Sequence, residues 1–308
     1  MSSAALVARP DLDWHGRPLA IAAPGADPWF VRAIENRPVE QRTDVAGAAI
    51  EFLTWDAGEG PGLLLAHGAG AHAEGWRPTA PQLARAAGRV VAVSFSGTGG
   101  SDWRDAYTLD LHADELMAAA EAGGLFEDGR RPFVAAHSFG CLPAMRAMER
   151  CGERFAGLIL IDLYLPPPGR PPARPRERKL RRYATLEEGL GRFLLAPPQD
   201  CAYPFMIDFI ARRTLRHTGA HWTWCTDPAS GVRIVHEETR ARLRQLAVPL
   251  TLLRGECSRL VDEGIGAHLR EVAPGGTRFI EIPDADHHIL LDRPLALVAA
   301  LRCLLEGP

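Results

Sequence analysis

Short apolar runs recur along this chain, separated by stretches in which apolar residues return every three or four positions. Residues 63–66, 89–94, 133–136, 155–161, 248–253 and 278–282 show the first pattern, and 78–87, 109–122, 141–148, 262–272 and 294–305 show the second. Most of the runs are apolar at consecutive positions rather than alternate ones, which predicts strands buried on both faces. Strands of that kind alternating with helices predict a mostly parallel, doubly wound α/β sheet covered on both sides. Residues 39–45 and 49–55 flank Ala46-Gly47 and predict an antiparallel hairpin at one edge of the sheet.

Two stretches break the alternation. Residues 1–37 carry prolines, glycines and few periodic apolar positions, and predict an irregular arm with one short helix near 28–35. From Leu163 onward, Pro166-Pro167-Pro168, Pro171-Pro172 and Pro175 form a stiff connector. Helical patterns follow at 186–195 and 205–215, then Trp222-Thr223-Trp224, and sheet-type runs resume only at 248. The expected organisation is an arm (1–37), a sheet core (38–162 and 246–308) and an inserted helical cap (163–245).

Composition adds exclusions. A chain of 308 residues, 46% hydrophobic and 24% charged, can bury a large core. Its net charge of -3 supplies no general pull toward nucleic acid or an anionic membrane. No apolar run approaches the ~20 residues that span a bilayer, and the start, MSSAALVARPDLD, lacks a basic segment followed by an apolar one. The six cysteines include no CxxC pair and read as reduced, buried thiols. Together these features predict a cytoplasmic protein.

The candidate chemistry centres on RPFVAAHSFGCLPAM, residues 131–145. An apolar run ends in Ala136-His137-Ser138-Phe139-Gly140, and a helical pattern begins at once. Such a strand-to-helix turn holds its serine in a strained conformation, and the turn needs small residues two before and two after it, here Ala136 and Gly140. A serine nucleophile needs a base, because its free hydroxyl is protonated at neutral pH. His287, in the loop after the last strand, is the candidate, with His288 pointing elsewhere. Strand ends along one edge of a parallel sheet meet, so that loop can reach Ser138. The amides of Phe139 and of Ala69, in the loop His67-Gly68-Ala69-Gly70, are the expected oxyanion donors.

Other patterns are weaker. Gly97-Thr98-Gly99-Gly100 lacks the third glycine of a dinucleotide motif and reads as a turn beside the pocket. His217 and His221 would share one face of a helix, as zinc ligands do, but no third ligand accompanies them, so no metal is expected. Among the aromatics Trp76, Trp103, Phe139, Phe205, Phe209, Trp222 and Trp224, we assign Trp76, Trp103, Phe205 and Trp222 to an apolar pocket, with His67 and Gly68. The basic run at 174–182 reads as a solvated hinge, its alternative being a dock for an anionic acyl carrier or a coenzyme A thioester.

The motifs HGAG after one strand, SFSGTGGSDW after the next, AHSFGC, and DADHHILLDRP near the end occur in the order and spacing of the α/β-hydrolase superfamily. The chain resembles that superfamily from about residue 45 to 305, and its layout resembles the capped lipase, dehalogenase and carbon-carbon hydrolase branch. A serine at 138 argues against dehalogenases and epoxide hydrolases. The resemblance implies a third triad member, an acid. Most members carry it in the loop that here reads Gly255-Glu256-Cys257-Ser258-Arg259, where Ser258 occupies the aspartate's place. Some members carry it after the strand that follows the nucleophile helix, which is Asp162 here, and Asp162 is preferred over Glu256 or Asp262. The expected activity is cofactor-independent serine hydrolysis of an ester, lactone or thioester of a small to medium apolar compound. Carbon-carbon hydrolysis or acyl transfer on the same triad, and a non-catalytic small-molecule receptor, are the alternatives.

Overall fold

The computed structural model describes residues 25–170 and 179–307, and most of the arm therefore lies outside the described residues. What is described of the arm is α1 (Pro28–Glu35), which buries Phe30, Ala33 and Ile34. A hairpin of β1 (Val39–Val45) and β2 (Ala48–Asp56) follows, turning at Ala46-Gly47 as the pattern predicts. Then come β3 (Leu63–Ala66), α2 (Ala80–Ala87), β4 (Arg89–Val93), α3 (Leu109–Ala122), β5 (Phe133–His137), α4 (Cys141–Cys151) and β6 (Gly157–Ile161). After β6 lie α5 (Leu186–Leu190), α6 (Pro204–Thr214), β7 (Leu215–His217), β8 (Trp222–Trp224) and α7 (His236–Gln245). The sheet resumes with β9 (Leu250–Gly255), α8 (Glu263–Val272), β10 (Arg278–Ile282), α9 (Ile289–Asp292) and α10 (Pro294–Glu306).

Eight strands form one sheet in the order β1-β2-β4-β3-β5-β6-β9-β10, antiparallel only where β2 meets β1 and β4. The expected doubly wound α/β sheet is thus present. Uniformly apolar strands feed two cores: Leu64, Ala66, Val134, Leu158 and Leu160 face the side covered by α3 and α4. Leu63, Leu65, Ala135, Ile159 and Ile161 face the side covered by α2 and α10. Each such leucine or isoleucine, buried completely, is worth about 1.5–3 kcal/mol. The parallel strands β3, β5, β6, β9 and β10 end on one edge, so the loops after them meet there.

The segment between β6 and β9 differs from a purely helical cap. Leu215 to His217 and Trp222 to Trp224 pair as an antiparallel hairpin, which also places His217 on a strand rather than on a helix with His221. The helix α7 carries only one fully buried leucine, Leu243, which joins the core shared by α3, α4 and α8. It therefore packs among the helices that flank the sheet. Cys141 and Cys225 are buried as expected, but Cys257 and Cys303 are exposed, one on the loop after β9 and one on α10. Among the described residues no helix is long and apolar enough to cross a membrane.

Candidate active site

The turn from β5 into α4 puts Ser138 at φ 52°, in the left-handed region, which costs an ordinary side chain about 1–3 kcal/mol. Close packing enforces it. A Cβ at Gly140 would lie 2.6 Å from the His67 carbonyl oxygen and 3.1 Å from Ala66 backbone atoms. A Cβ at Gly68 would lie 2.9 Å from His137 Nδ1 and 3.3 Å from Ser138 Cβ. Both glycines let the loop after β3, with the Ala69 amide in it, lie directly on the serine turn. Gly140→Ala is therefore expected to lower Tm by roughly 3–10 °C, since backbone atoms cannot yield to the new methyl. Gly264→Ala, inside α8 with only Asp262 Oδ1 at 3.4 Å, is the control and should leave Tm unchanged or higher in the same thermal scan.

The loop after β10 brings His287 to the same edge. Its Nδ1–H donates to Asp162 Oδ2 at 2.6 Å, and both side chains are almost wholly buried. Asp162 directly follows β6, also at a positive φ of 52°, which aspartate tolerates better than most residues. Its carboxylate is fully engaged, Oδ1 accepting the Gly255 amide at 3.0 Å and Oδ2 the Ser258 hydroxyl at 2.7 Å. Ser258 in turn accepts the Val261 amide at 3.0 Å. The two other candidate acids face elsewhere: Glu256 accepts the Asp284 amide, and Asp262 caps α8 and pairs with Arg170.

Three further imidazoles line the same cavity as His287. His137 packs its ring 4.9 Å from that of His287, and its Nε2–H donates to the His287 carbonyl at 2.9 Å. Burial and the neighbouring His287 hold its pKa well below the ordinary histidine value. The amide of His288 donates to Gln199 Oε1 at 2.8 Å and its Nε2–H to the Pro197 carbonyl at 3.2 Å, so it points into the inserted segment. Desolvation pushes it down to about 4. His67 donates from Nδ1 to the Gly68 carbonyl and accepts the Phe95 amide at Nε2, at 2.8 and 3.0 Å. Burial pushes it down to about 3, so it lines the cavity as a neutral ring whose nitrogens are already spent on backbone. The ring nitrogens of His137, His287 and His288 gather within 4.8 Å of one another. Each ring already has one nitrogen hydrogen bonded, to Asp162 or to a carbonyl.

Ser138, His287, Ala69, His67, Gly68 and Trp76 all line one cavity of about 1270 Å³. That is larger than the ~300–1,000 Å³ of common small-molecule pockets. Three expected pocket residues lie outside it. Phe205 stacks 4.8 Å from Phe30 and fastens α6 to α1. Trp103 lies under the Arg216 guanidinium, 4.5 Å away, and Trp222 is buried with Tyr183, Leu186 and Leu215. Trp224 lines the cavity instead, its indole N–H donating to the Tyr183 hydroxyl at 3.2 Å. The turn at 97–100 sits behind the cavity, where the Gly100 amide donates to Glu51 Oε2 at 2.9 Å and Thr98 Oγ1 approaches His67 Nε2.

Comparison with known proteins bears on the fold and the family. Residues 63–301 match the family model described as "Alpha/beta hydrolase family". Esterase Rv0045c of Mycobacterium tuberculosis (strain ATCC 25618 / H37Rv) is 24% identical over 294 residues, covering 88% of this chain and 91% of that one. The crystal structure of that esterase superposes with a TM-score of 0.67 at 21% identity, over 92% of this chain and 100% of the other. The thioesterase domain from the curacin biosynthetic pathway superposes with a TM-score of 0.72 at 19% identity, over 86% and 99% of the two chains.

Proposed function

The chain belongs to the α/β hydrolase family, and from that premise we propose that it is a serine esterase whose triad is Ser138, His287 and Asp162. The observation that carries the reading is the 2.6 Å contact of His287 Nδ1 with Asp162, made by a histidine that shares one cavity wall with a serine in a strained turn. With Nδ1–H committed to the carboxylate, the lone pair of His287 is on Nε2 and is available to the Ser138 hydroxyl.

Ser138 Oγ forms a bond to the ester carbonyl carbon as His287 takes its proton. The amides of Ala69 and Phe139 stabilise the resulting oxyanion. Collapse of that intermediate breaks the bond to the leaving oxygen, which carries away the proton from His287. Water then repeats the sequence on the acyl-enzyme and frees Ser138. The inserted segment, ending before α7, covers the cavity as a lid: Thr226 Oγ1 donates to the Gly70 carbonyl at 3.2 Å, and 197–199 hold His288. Such a cover excludes bulk water from the acyl-enzyme.

A fluorophosphonate, which phosphonylates only an activated serine, tests the reading together with p-nitrophenyl esters of two to eight acyl carbons. Intact mass should show one adduct, and the esters should release p-nitrophenol with multiple turnovers. A folded protein that takes no adduct and turns over no ester would instead be a non-catalytic member of the family.

A further inference from the structure

The rim of the cavity carries a charge that the triad does not use. Lys179, Arg181, Arg182 and Arg192 line it beside one carboxylate, Glu188, and all five residues are exposed. The Glu188 carboxylate accepts the Ala184 amide at 2.9 Å. Several arginines elsewhere meet acids: Arg89 meets Asp56 and Glu127, Arg146 meets Asp110 and Glu149, Arg254 meets Glu281. Arg181, Arg182 and Arg192 form no salt bridge among the described residues. Of the basic run at 174–182, residues 174–178 lie outside the described residues, and the part that is described opens onto the catalytic cavity.

The less exposed part of the lining has the opposite character. Phe193, Leu195, Ile210, Trp224, Leu290 and Leu291 are apolar and half-buried or buried. At the rim, Leu180 and Leu194 are 42% and 83% exposed among the basic side chains. One cavity thus combines a buried or half-buried apolar lining with exposed guanidinium groups. We propose that it takes esters or thioesters with an apolar stem and an anionic group remote from the scissile bond, with Arg181, Arg182 and Arg192 as the counter-ions. This rests on the esterase reading and assigns its substrate class.

The physics favours local rather than global attraction. The chain as a whole is at -3, so an anion is drawn only where cations cluster. Guanidinium groups match the two oxygens of a carboxylate or phosphate, and a low-dielectric cleft wall strengthens their field. The anion can belong to either side of the ester: a carboxylate at the far end of the acyl chain, or the phosphates of a coenzyme A leaving group.

Two matched pairs distinguish those sources, with kcat/KM as the readout. The first is octanoyl-coenzyme A against the octanoyl thioester of N-acetylcysteamine, and the second is monomethyl suberate against dimethyl suberate. In at least one pair the anionic member should be favoured about tenfold or more at 20 mM salt, mainly through KM. The preference should shrink toward one at 0.5 M salt, where charges are screened within a few ångströms. It should also fall toward one in the triple variant R181Q/R182Q/R192Q and persist in Arg85→Gln, on the exposed face of α2. Equal or better use of the neutral members in both pairs overturns the proposal and leaves the esterase reading intact, as does a preference that survives the triple variant. No turnover of any of the four, with no fluorophosphonate adduct, overturns both.

Discussion

Ser138→Ala is expected to lower kcat for any ester substrate by on the order of 10⁵–10⁶, to the residue of rate that binding and oxyanion donors supply without a nucleophile. KM should change little, because the hydroxyl contributes to bond formation rather than to holding the substrate. The same variant should take no fluorophosphonate. What makes the expectation specific is a companion substitution, Ser138→Gly. Ser138 sits at φ 52°, where glycine rests without strain and any Cβ does not. Ser138→Gly should therefore raise Tm above that of both wild type and Ser138→Ala by a few degrees while abolishing turnover equally. A serine held only for structure would lose stability on replacement. Loss of activity together with a gain of stability is the mark of strain maintained for catalysis. If Ser138→Ala retains more than about a hundredth of wild-type kcat, the nucleophile lies elsewhere.

The parts of this site that sequence made visible are those fixed by local or topological rules. The strand, the small residues around Ser138 and the following helix are contiguous, and the backbone contact at Gly140 is the reason a small residue was required there. His287 was legible because the end of the last strand of a parallel sheet must reach the same edge as Ser138. The strand runs were equally plain, since burial on both faces writes consecutive apolar residues. The pocket was not plain. Whether Phe205 or Trp222 faces a cavity or a neighbour depends on α1 and on Tyr183, which lie far away in sequence. Trp222 and Trp224 are alike in local sequence, yet one is sealed in a small core and the other lines the cavity. The helix α7 was obscured by its composition, because beside six charged or titratable positions Leu243 is its one buried apolar residue. The structural histidines were hidden for a further reason. His137 spends one ring nitrogen and His67 both on backbone groups, and no sequence pattern distinguishes such a ring from a ligand.

Asp162→Asn is expected to lower kcat by about 10⁴, and the surrounding hydrogen bonds dictate why. The Gly255 amide donates to Oδ1 at 3.0 Å, so an asparagine must keep its oxygen there. Its NH₂ group then occupies the place of Oδ2 and faces His287 Nδ1 and the Ser258 hydroxyl. A donor at that place forces the imidazole to present a lone pair at Nδ1 and its proton at Nε2, toward Ser138. That tautomer cannot accept the serine proton. Folding should survive, because asparagine also tolerates the positive φ at 162 and Ser258 can turn to accept from the new amide. Ser258→Ala, which removes one hydrogen bond to the carboxylate but leaves the acid in place, should cost only about tenfold. Glu256→Gln and Asp262→Asn should leave kcat within about twofold, since their carboxylates serve the Asp284 amide and the start of α8. The ordering of these four variants, measured as kcat at saturating ester with Tm recorded alongside, assigns the acid. An Asp162→Asn enzyme within about tenfold of wild type, beside a disabled Glu256→Gln or Asp262→Asn, would move the acid to the loop after β9.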